Sequence, residues 1–236
     1  MTRQPPHSAA RPDDQIWAVI AAFNEAPRIA LVLDALLPVV PHVVVVDDGS
    51  SDATGEAVLS RAVWLVTHPV NLGQGAALQT GIAFALARGA SHVVTFDADG
   101  QHDPNDIPRM LAALSDQGAE YALGSRFLGA AQNMPRSRRV LLRLAILFTR
   151  LLSGVSLSDA HNGLRAMTRV GAKSIRLSFN RMEHASEIVE QIARSGLKYI
   201  EVPVTIRYTH ASLAKGQRAS AALGLGLRLL LEKLAR

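Results

Sequence analysis

His92-Val-Val-Thr-Phe-Asp97-Ala-Asp99-Gly-Gln101-His-Asp103 is the stretch whose reading decides the fold. Its first half is a short apolar run that does not alternate, which suits a strand buried on both faces. Its second half opens with two carboxylates two residues apart. Four runs of the same texture accompany it: Ile16–Ala21, Val43–Val46, Val63–Val66 and Tyr121–Leu123. Helix-like stretches at 26–37, 52–61, 74–88 and 105–117 lie between them. Strand–helix–strand repetition predicts an α/β fold with a mostly parallel sheet and right-handed crossovers. In such sheets ligands bind beyond the carboxyl ends of the strands. Each run is followed by a polar or glycine-rich cluster: Phe23-Asn-Glu25, Asp47-Asp-Gly-Ser-Ser-Asp52, Asn71-Leu-Gly-Gln-Gly75, Asp97 to Asp103, and Gly124-Ser-Arg126. The five clusters are expected to converge on one crevice.

The chain has 236 residues, 48% of them hydrophobic and 19% charged, enough for one domain with a sizeable core. The absence of cysteine excludes disulfides, zinc–cysteine sites, iron–sulfur clusters and cysteine nucleophiles. No apolar run reaches the roughly 18–20 residues that span a bilayer. Residues 1–14 lack the apolar core of a signal peptide and read as a disordered arm before a single domain at 15–236. Charge divides the chain. Residues 1–130 hold 7 Lys and Arg against 14 Asp and Glu, whereas residues 131–236 hold 18 against 6. An acidic front suits a cation, and a basic back suits phosphates or an anionic membrane. From Phe127 to Ser158 there is no acidic residue. A helix over 136–152 would place Arg136, Arg139, Arg143 and Arg150 near one face, with apolar residues around the rest. A helix over 183–195, a strand over Tyr199–Val204 and a leucine-rich helix from Ala219 to Arg236 complete the reading.

Asp97 and Asp99 at a strand tip fit either a divalent cation site, with Gln101 as a neutral ligand, or a loop of helix-capping acids before Pro104. The EF-hand calcium pattern fails, because its twelfth position is Pro108. Gly49 and the following Ser51 or Asp52 make a turn and a helix cap, leaving Asp47 and Asp48 for a base N–H or a ribose hydroxyl. Asn71-x-Gly73-x-Gly75 lacks the third glycine of a dinucleotide fingerprint, since Leu78 stands there. P-loop, esterase and zinc-protease motifs are absent. Arg126, Arg165, Arg207 and Lys215 are candidate phosphate contacts or ordinary surface charges. His102 and His161 are either ligands, bases or loop histidines in ordinary hydrogen bonds. Glu183 and Glu187 share a helix face and are either bases or surface acids. Aromatic residues make up 5% of the chain, with no stacking platform for nucleic acid.

Taken together, Val19-Ile-Ala-Ala-Phe-Asn-Glu25, Val46-Asp-Asp-Gly-Ser50, Asn71-x-Gly-x-Gly75, Asp97 to Pro104, Gly124-Ser-Arg126, Asp159-x-x-x-Gly-Leu-Arg165 and Glu201-Val-Pro-Val204 resemble the inverting family-2 glycosyltransferases. The nearest branch is dolichyl-phosphate mannosyltransferase and the bacterial polyprenyl-phosphate sugar synthases. The resemblance implies a GT-A fold, a GDP- or UDP-sugar donor and a magnesium or manganese ion at Asp97, Asp99 and Gln101. It implies nucleotide contacts at Ala21, Phe23, Glu25, Asp47, Asp48, Gly75 and Asp97. It assigns catalysis to Asp97, Asp99, Arg126 and Lys215, and a polyprenyl phosphate acceptor to Arg126, Arg139, Arg165, Arg207 and Lys215. Residues 15–126 then form the donor and metal half, and 127–236 the half facing acceptor and membrane. The enzyme is expected in the cytoplasm at the inner face of the membrane, docked peripherally or through a transmembrane partner subunit or self-association. Departures exist: Ala21-Ala-Phe-Asn-Glu25 replaces the common Pro-Ala-Tyr-Asn-Glu, and Ser212-Leu-Ala-Lys-Gly-Gln217 lacks the family's Ser-Lys pair. A saccharide hydroxyl acceptor is the alternative. It would need a base, for which Glu183, Glu187 and Asp159 are the candidates. A non-catalytic nucleotide-binding scaffold is the third reading.

Overall fold

Ile16–Ala22 (β2) shows why the strands form where they do. Trp17 and Val19 point to one face of the sheet, Ala18, Ile20 and Ala22 to the other, and all five are buried. An apolar run so placed is stable only between two helical layers. The computed structural model describes residues 2–3, 15–153, 156–159, 162–179 and 184–208. Within them the chain runs from β1 (Thr2–Arg3) and β2 through α1 (Ala26–Leu36), β3 (His42–Asp47), α2 (Thr54–Leu59), β4 (Trp64–Thr67), α3 (Gln74–Ala87) and β5 (His92–Thr95). It continues through α4 (Ile107–Gln117), β6 (Tyr121–Gln132), α5 (Arg136–Ser153), β7 (Arg165–Thr168), α6 (Arg169–Ser174), α7 (His184–Ser195) and β8 (Tyr199–Arg207).

Among the described residues the sheet has the order β1-β4-β3-β2-β5-β7-β6-β8. Strands β4, β3, β2 and β5 are parallel neighbours, and β6 pairs parallel with β8. The order reverses at β2, which has β3 on one side and β5 on the other. That switch point opens a crevice at the carboxyl ends of the strands. One face is covered by α1, α2 and α4, through Ile29, Leu33, Val58, Ile107 and Met110. The other is covered by α3, α6 and α7, through Leu78, Ile82, Ala172, Ile188 and Ile192.

The structure corrects the expected sheet in two places. Strand β7 is antiparallel to both its neighbours, β5 and β6. Its sequence, Arg165-Ala-Met-Thr168, is too short and too polar at its ends to announce a strand. Running backwards, it contributes its first residue, not its last, to the crevice. Strand β6 runs on to Gln132, where an end at Leu123 was expected, and pairs with β8 again beyond an irregularity between Ser125 and Ala130. In the arm expected to be disordered, Thr2–Arg3 pairs with Val66 and Leu65. The leucine-rich helix expected from Ala219, together with His161, Glu183 and Lys215, lies outside the described residues.

Helix α3 lies tight on the sheet because Gly81 has no side chain. A Cβ there would stand 2.3 Å from Val19 Cγ1. Gly81→Ala is therefore expected to lower stability by about 1–3 kcal/mol through overpacking, read as a lower thermal midpoint by circular dichroism.

Candidate active site

Four of the five clusters meet at strand ends, whereas the fifth, Gly124-Ser-Arg126, lies within β6. Asn24, with a positive φ of 55°, donates its N–H to Ser50 Oγ at 2.9 Å, and its Oδ1 accepts from the Ser51 N–H at 2.9 Å. The Glu25 N–H donates to Thr54 Oγ1 at 2.9 Å. These bonds knit the β2 and β3 tips together. Phe23 stands exposed beside them, Ala21 lies in β2 opposite Val46, and Glu25 pairs with Arg28 at 2.7 Å.

Asp48, expected at the ribose or base, has its carboxylate held by protein groups. It is buried, and its carboxylate accepts from Leu72 N–H at 3.0 Å and Gly73 N–H at 2.7 Å. His68 Nδ1 lies 2.7 Å from the same carboxylate, and His68 Nε2 lies 3.0 Å from Thr80 Oγ1. A carboxylate so occupied is an anchor for the glycine-rich loop. Asp47 accepts from Ser50 N–H at 3.0 Å. Gly75 is close-packed against protein: a Cβ there would stand 2.1 Å from the Phe179 carbonyl. His68 escaped the sequence reading, although it follows β4 as Asp48 follows β3.

Asp97 lies just past the end of β5. His102 Nε2 is 2.9 Å from Asp97 Oδ2, and Gln74 Nε2 donates to Asp97 Oδ1 at 3.5 Å. Burial pushes the Asp97 carboxyl up, but His102, Arg165 and His184 outweigh it and hold it below the usual range. Asp99 goes the other way: burial, then Asp97 and Glu25 beside it, raise it. One of the pair thus sits in an excess of negative charge that a divalent cation would relieve. Gln101 stands next to them, and its carbonyl accepts from Arg207 N–H at 2.9 Å.

The basic side of the crevice is built on a buried ion pair. Arg126 donates its N–H and its Nε to Asp159 Oδ2 at 3.0 and 2.6 Å, and Nη1 to Tyr208 Oη at 2.6 Å. Burial lowers the Arg126 guanidinium, but Asp159 and Tyr208 reverse that and raise it. Arg138 lies over the Tyr208 ring at 5.0 Å. Glu201 holds the segment from below, accepting from Ser158 N–H, Ser158 Oγ and Asp159 N–H at 2.9, 2.7 and 3.3 Å. A cleft of about 340 Å³ opens beside this pair, lined by Arg126, Phe127, Arg139, Arg143, Ile146 and Ser158. Arg139 and Arg143 thus join Arg126, but Arg207 does not: it is exposed and paired with Asp103. Arg165 is buried in the sheet between Asp97 and Asp159, both of which act on it electrostatically.

Of the candidate bases, Asp159 serves Arg126. Glu187 accepts from Ser178 N–H at 2.9 Å and Phe179 N–H at 3.0 Å, so it fastens the loop that closes over Gly75.

The model for "Glycosyl transferase family 2" matches residues 17–175. The chain belongs to glycosyl transferase family 2. This family-2 glycosyltransferase is 31% identical to a UDP-N-acetylglucosamine–dolichyl-phosphate N-acetylglucosaminyltransferase of Methanococcus voltae, over 95% of this chain and 98% of that one. It is 32% identical to a polyprenol monophosphomannose synthase of Mycolicibacterium smegmatis, over 88% and 83% of the two chains. The solved structure of Mycobacterium tuberculosis glucosyl-3-phosphoglycerate synthase, in complex with Mn2+ and UDP-glucose, superposes with a TM-score of 0.70. The match covers 94% of this chain and 78% of that one at 22% identity. The fold of the family-2 glycosyltransferase is accordingly GT-A.

The Arg126–Asp159 pair gives a direct test. Asp159→Asn strands a buried guanidinium and is expected to lower unfolding free energy by about 3 kcal/mol, measured by urea denaturation.

Proposed function

We propose that this enzyme transfers a sugar, with inversion, from a nucleoside diphosphate sugar to a polyprenyl phosphate. The observation that carries the reading is the pairing of two unlike sites in one crevice. Acidic Asp97 and Asp99 lie at the β5 tip, and an arginine-lined cleft flanks Arg126 within β6. The relatives named for dolichyl phosphate, polyprenol and undecaprenyl phosphate support the lipid acceptor.

Asp97, Asp99 and Gln101 would hold a magnesium or manganese ion. No three His, Cys, Asp or Glu side chains among the described residues form a complete metal cluster, so substrate oxygens and water would fill the remaining positions. When bound, such an ion neutralises charge on the departing diphosphate. Phe23 and Asp47 flank the base and ribose, while Asp48 keeps the 71–75 loop in place beneath them. Arg126, with Arg139 and Arg143, draws in and orients the acceptor phosphate. That phosphate is already anionic at neutral pH, so its oxygen attacks the anomeric carbon from the face opposite the leaving diphosphate, without proton removal. A phosphate acceptor also fits the commitments of Glu187 and Asp159, each tied up in protein contacts.

Helix α5 supports a peripheral membrane location. Val140, Leu144 and Leu147 form one stripe, each more than half exposed (59%, 55% and 54%), and exposed Arg136, Arg139, Arg143 and Arg150 lie alongside. An apolar ridge bordered by arginines matches the boundary of an anionic leaflet, where each basic residue contributes about 1 kcal/mol. Among the described residues no helix is long and apolar enough to cross a membrane.

The test is a transfer assay with purified protein, manganese or magnesium, and a panel of GDP- and UDP-sugars, with and without polyprenyl phosphate in detergent. Label is expected in the lipid phase with one donor, and to fall by roughly 100-fold or more in Asp97→Asn. Donor turnover that needs a saccharide instead of the lipid would replace the proposed acceptor. Replacing Val140, Leu144 and Leu147 together by Ser is expected to abolish co-sedimentation with vesicles containing anionic lipid, while leaving the circular dichroism spectrum unchanged.

A further inference from the structure

Arg165 stands at an unusual address for a cation. It is the first residue of β7, its side chain is buried (4% exposed), and its register partners are Thr95 on β5 and Leu123 on β6. Thr95 lies two residues before Asp97, and Leu123 three before Arg126. The turn leading into β7 presses on the same carboxylate: a Cβ at Gly163 would stand 2.2 Å from Asp97 Oδ2, and Thr95 Oγ1 donates to the Gly163 carbonyl at 2.7 Å. The backbone that carries Arg165 is therefore fixed against Asp97. Asp159 also acts on Arg165 electrostatically; its Oδ2 is taken by Arg126 and its Oδ1 is buried without a hydrogen-bond donor among the described residues. Burial pulls the Arg165 guanidinium down, while Asp97 and Asp159 oppose that pull.

Two carboxylates thus share one internal positive charge. Asp97 also has His102 Nε2 at 2.9 Å. For a bare divalent cation at Asp97 and Asp99, the Arg165 guanidinium cancels part of the attraction of the two carboxylates. A cation already bound to a nucleoside diphosphate meets no such opposition, because the diphosphate carries more negative charge than the cation carries positive. The same guanidinium then attracts the incoming complex.

We infer that Arg165 is a positioning residue, a resident cation between Asp97 and Asp159 that makes the carboxylate pair a poor site for a bare divalent cation and a good one for a cation delivered with the diphosphate. The inference rests on the metal-dependent donor reading above and assigns Arg165 away from direct contact with the acceptor phosphate.

The experiment titrates Mn2+ into wild type, Arg165→Met and Arg165→Lys, with and without UDP or GDP, reading free Mn2+ by electron paramagnetic resonance. Wild type is expected to bind Mn2+ alone at least about ten-fold more weakly than with nucleotide. Arg165→Met is expected to bind Mn2+ alone roughly ten-fold more tightly than wild type, although its transfer activity falls. Arg165→Lys, which keeps the charge, stays near wild type. A purely structural arginine would give the opposite sign, since a loosened Asp97 loses affinity. Unchanged or weaker Mn2+ binding by folded Arg165→Met overturns the inference. If Arg165→Met does not fold, wild type decides: Mn2+ bound as tightly without nucleotide as with it also overturns the inference. Failure of wild type to bind Mn2+ under any nucleotide condition would instead overturn the metal reading on which the inference depends.

Discussion

The buried pair between Arg126 and Asp159 is the constraint on which the geometry of the crevice depends. Asp159 Oδ2 takes both the backbone N–H and the side chain of Arg126, so one carboxylate fixes the residue's position and its direction at once. An ion pair in a dry interior is tolerated only when such extra bonds complete it. Glu201 supplies the support from beneath, gripping Ser158 and the Asp159 N–H from the neighbouring strand β8. Tyr208 closes the other end and carries Arg138 of α5 on its ring. The arginine-lined cleft, the end of the sheet and the amphipathic helix are thus parts of one connected piece.

The Asp97 side of the crevice is organised by a second buried carboxylate. Asp48 has surrendered its acceptor capacity to Leu72, Gly73 and His68, and through them it sets the loop that starts α3. Gln74, the next residue, reaches Asp97. The glycines of that loop make room for protein: Phe179 packs over Gly75, and Glu187 holds Phe179 there. The result is a rigid wall beside Asp97 and Asp99, which groups meant to receive a charged substrate require.

Strand β7 joins the two sides. Because it runs against its neighbours, its first residue and the turn before it face the crevice; Gly163 comes to lie on Asp97, and Arg165 acts on Asp97 electrostatically. A parallel strand in that slot would have delivered its last residues instead. Charges of alternating sign, Asp97, Arg165, Asp159 and Arg126, follow one another here.

Much of this was legible in the residues. Non-alternating apolar runs report burial on two faces, and the polar clusters that follow them must then sit at strand tips; Asp97, Asp99, Arg126 and the amphipathic 136–152 segment were found that way. Arg165 was also noticed, but as a phosphate contact, because neither the strand that buries it nor the reversal of that strand leaves a periodic signal in four residues. Asp48, Glu187 and Asp159 were each offered as ligand contacts or bases, since a carboxylate's type does not reveal its hydrogen-bond partners. The sequence by itself determined the layers of the fold, the edge that carries the chemistry and the basic, acid-free helix, since each depends on hydrophobic periodicity and local composition. Only the tertiary structure decided which acids hold backbone, because that depends on N–H groups brought from segments 8 to 42 residues away.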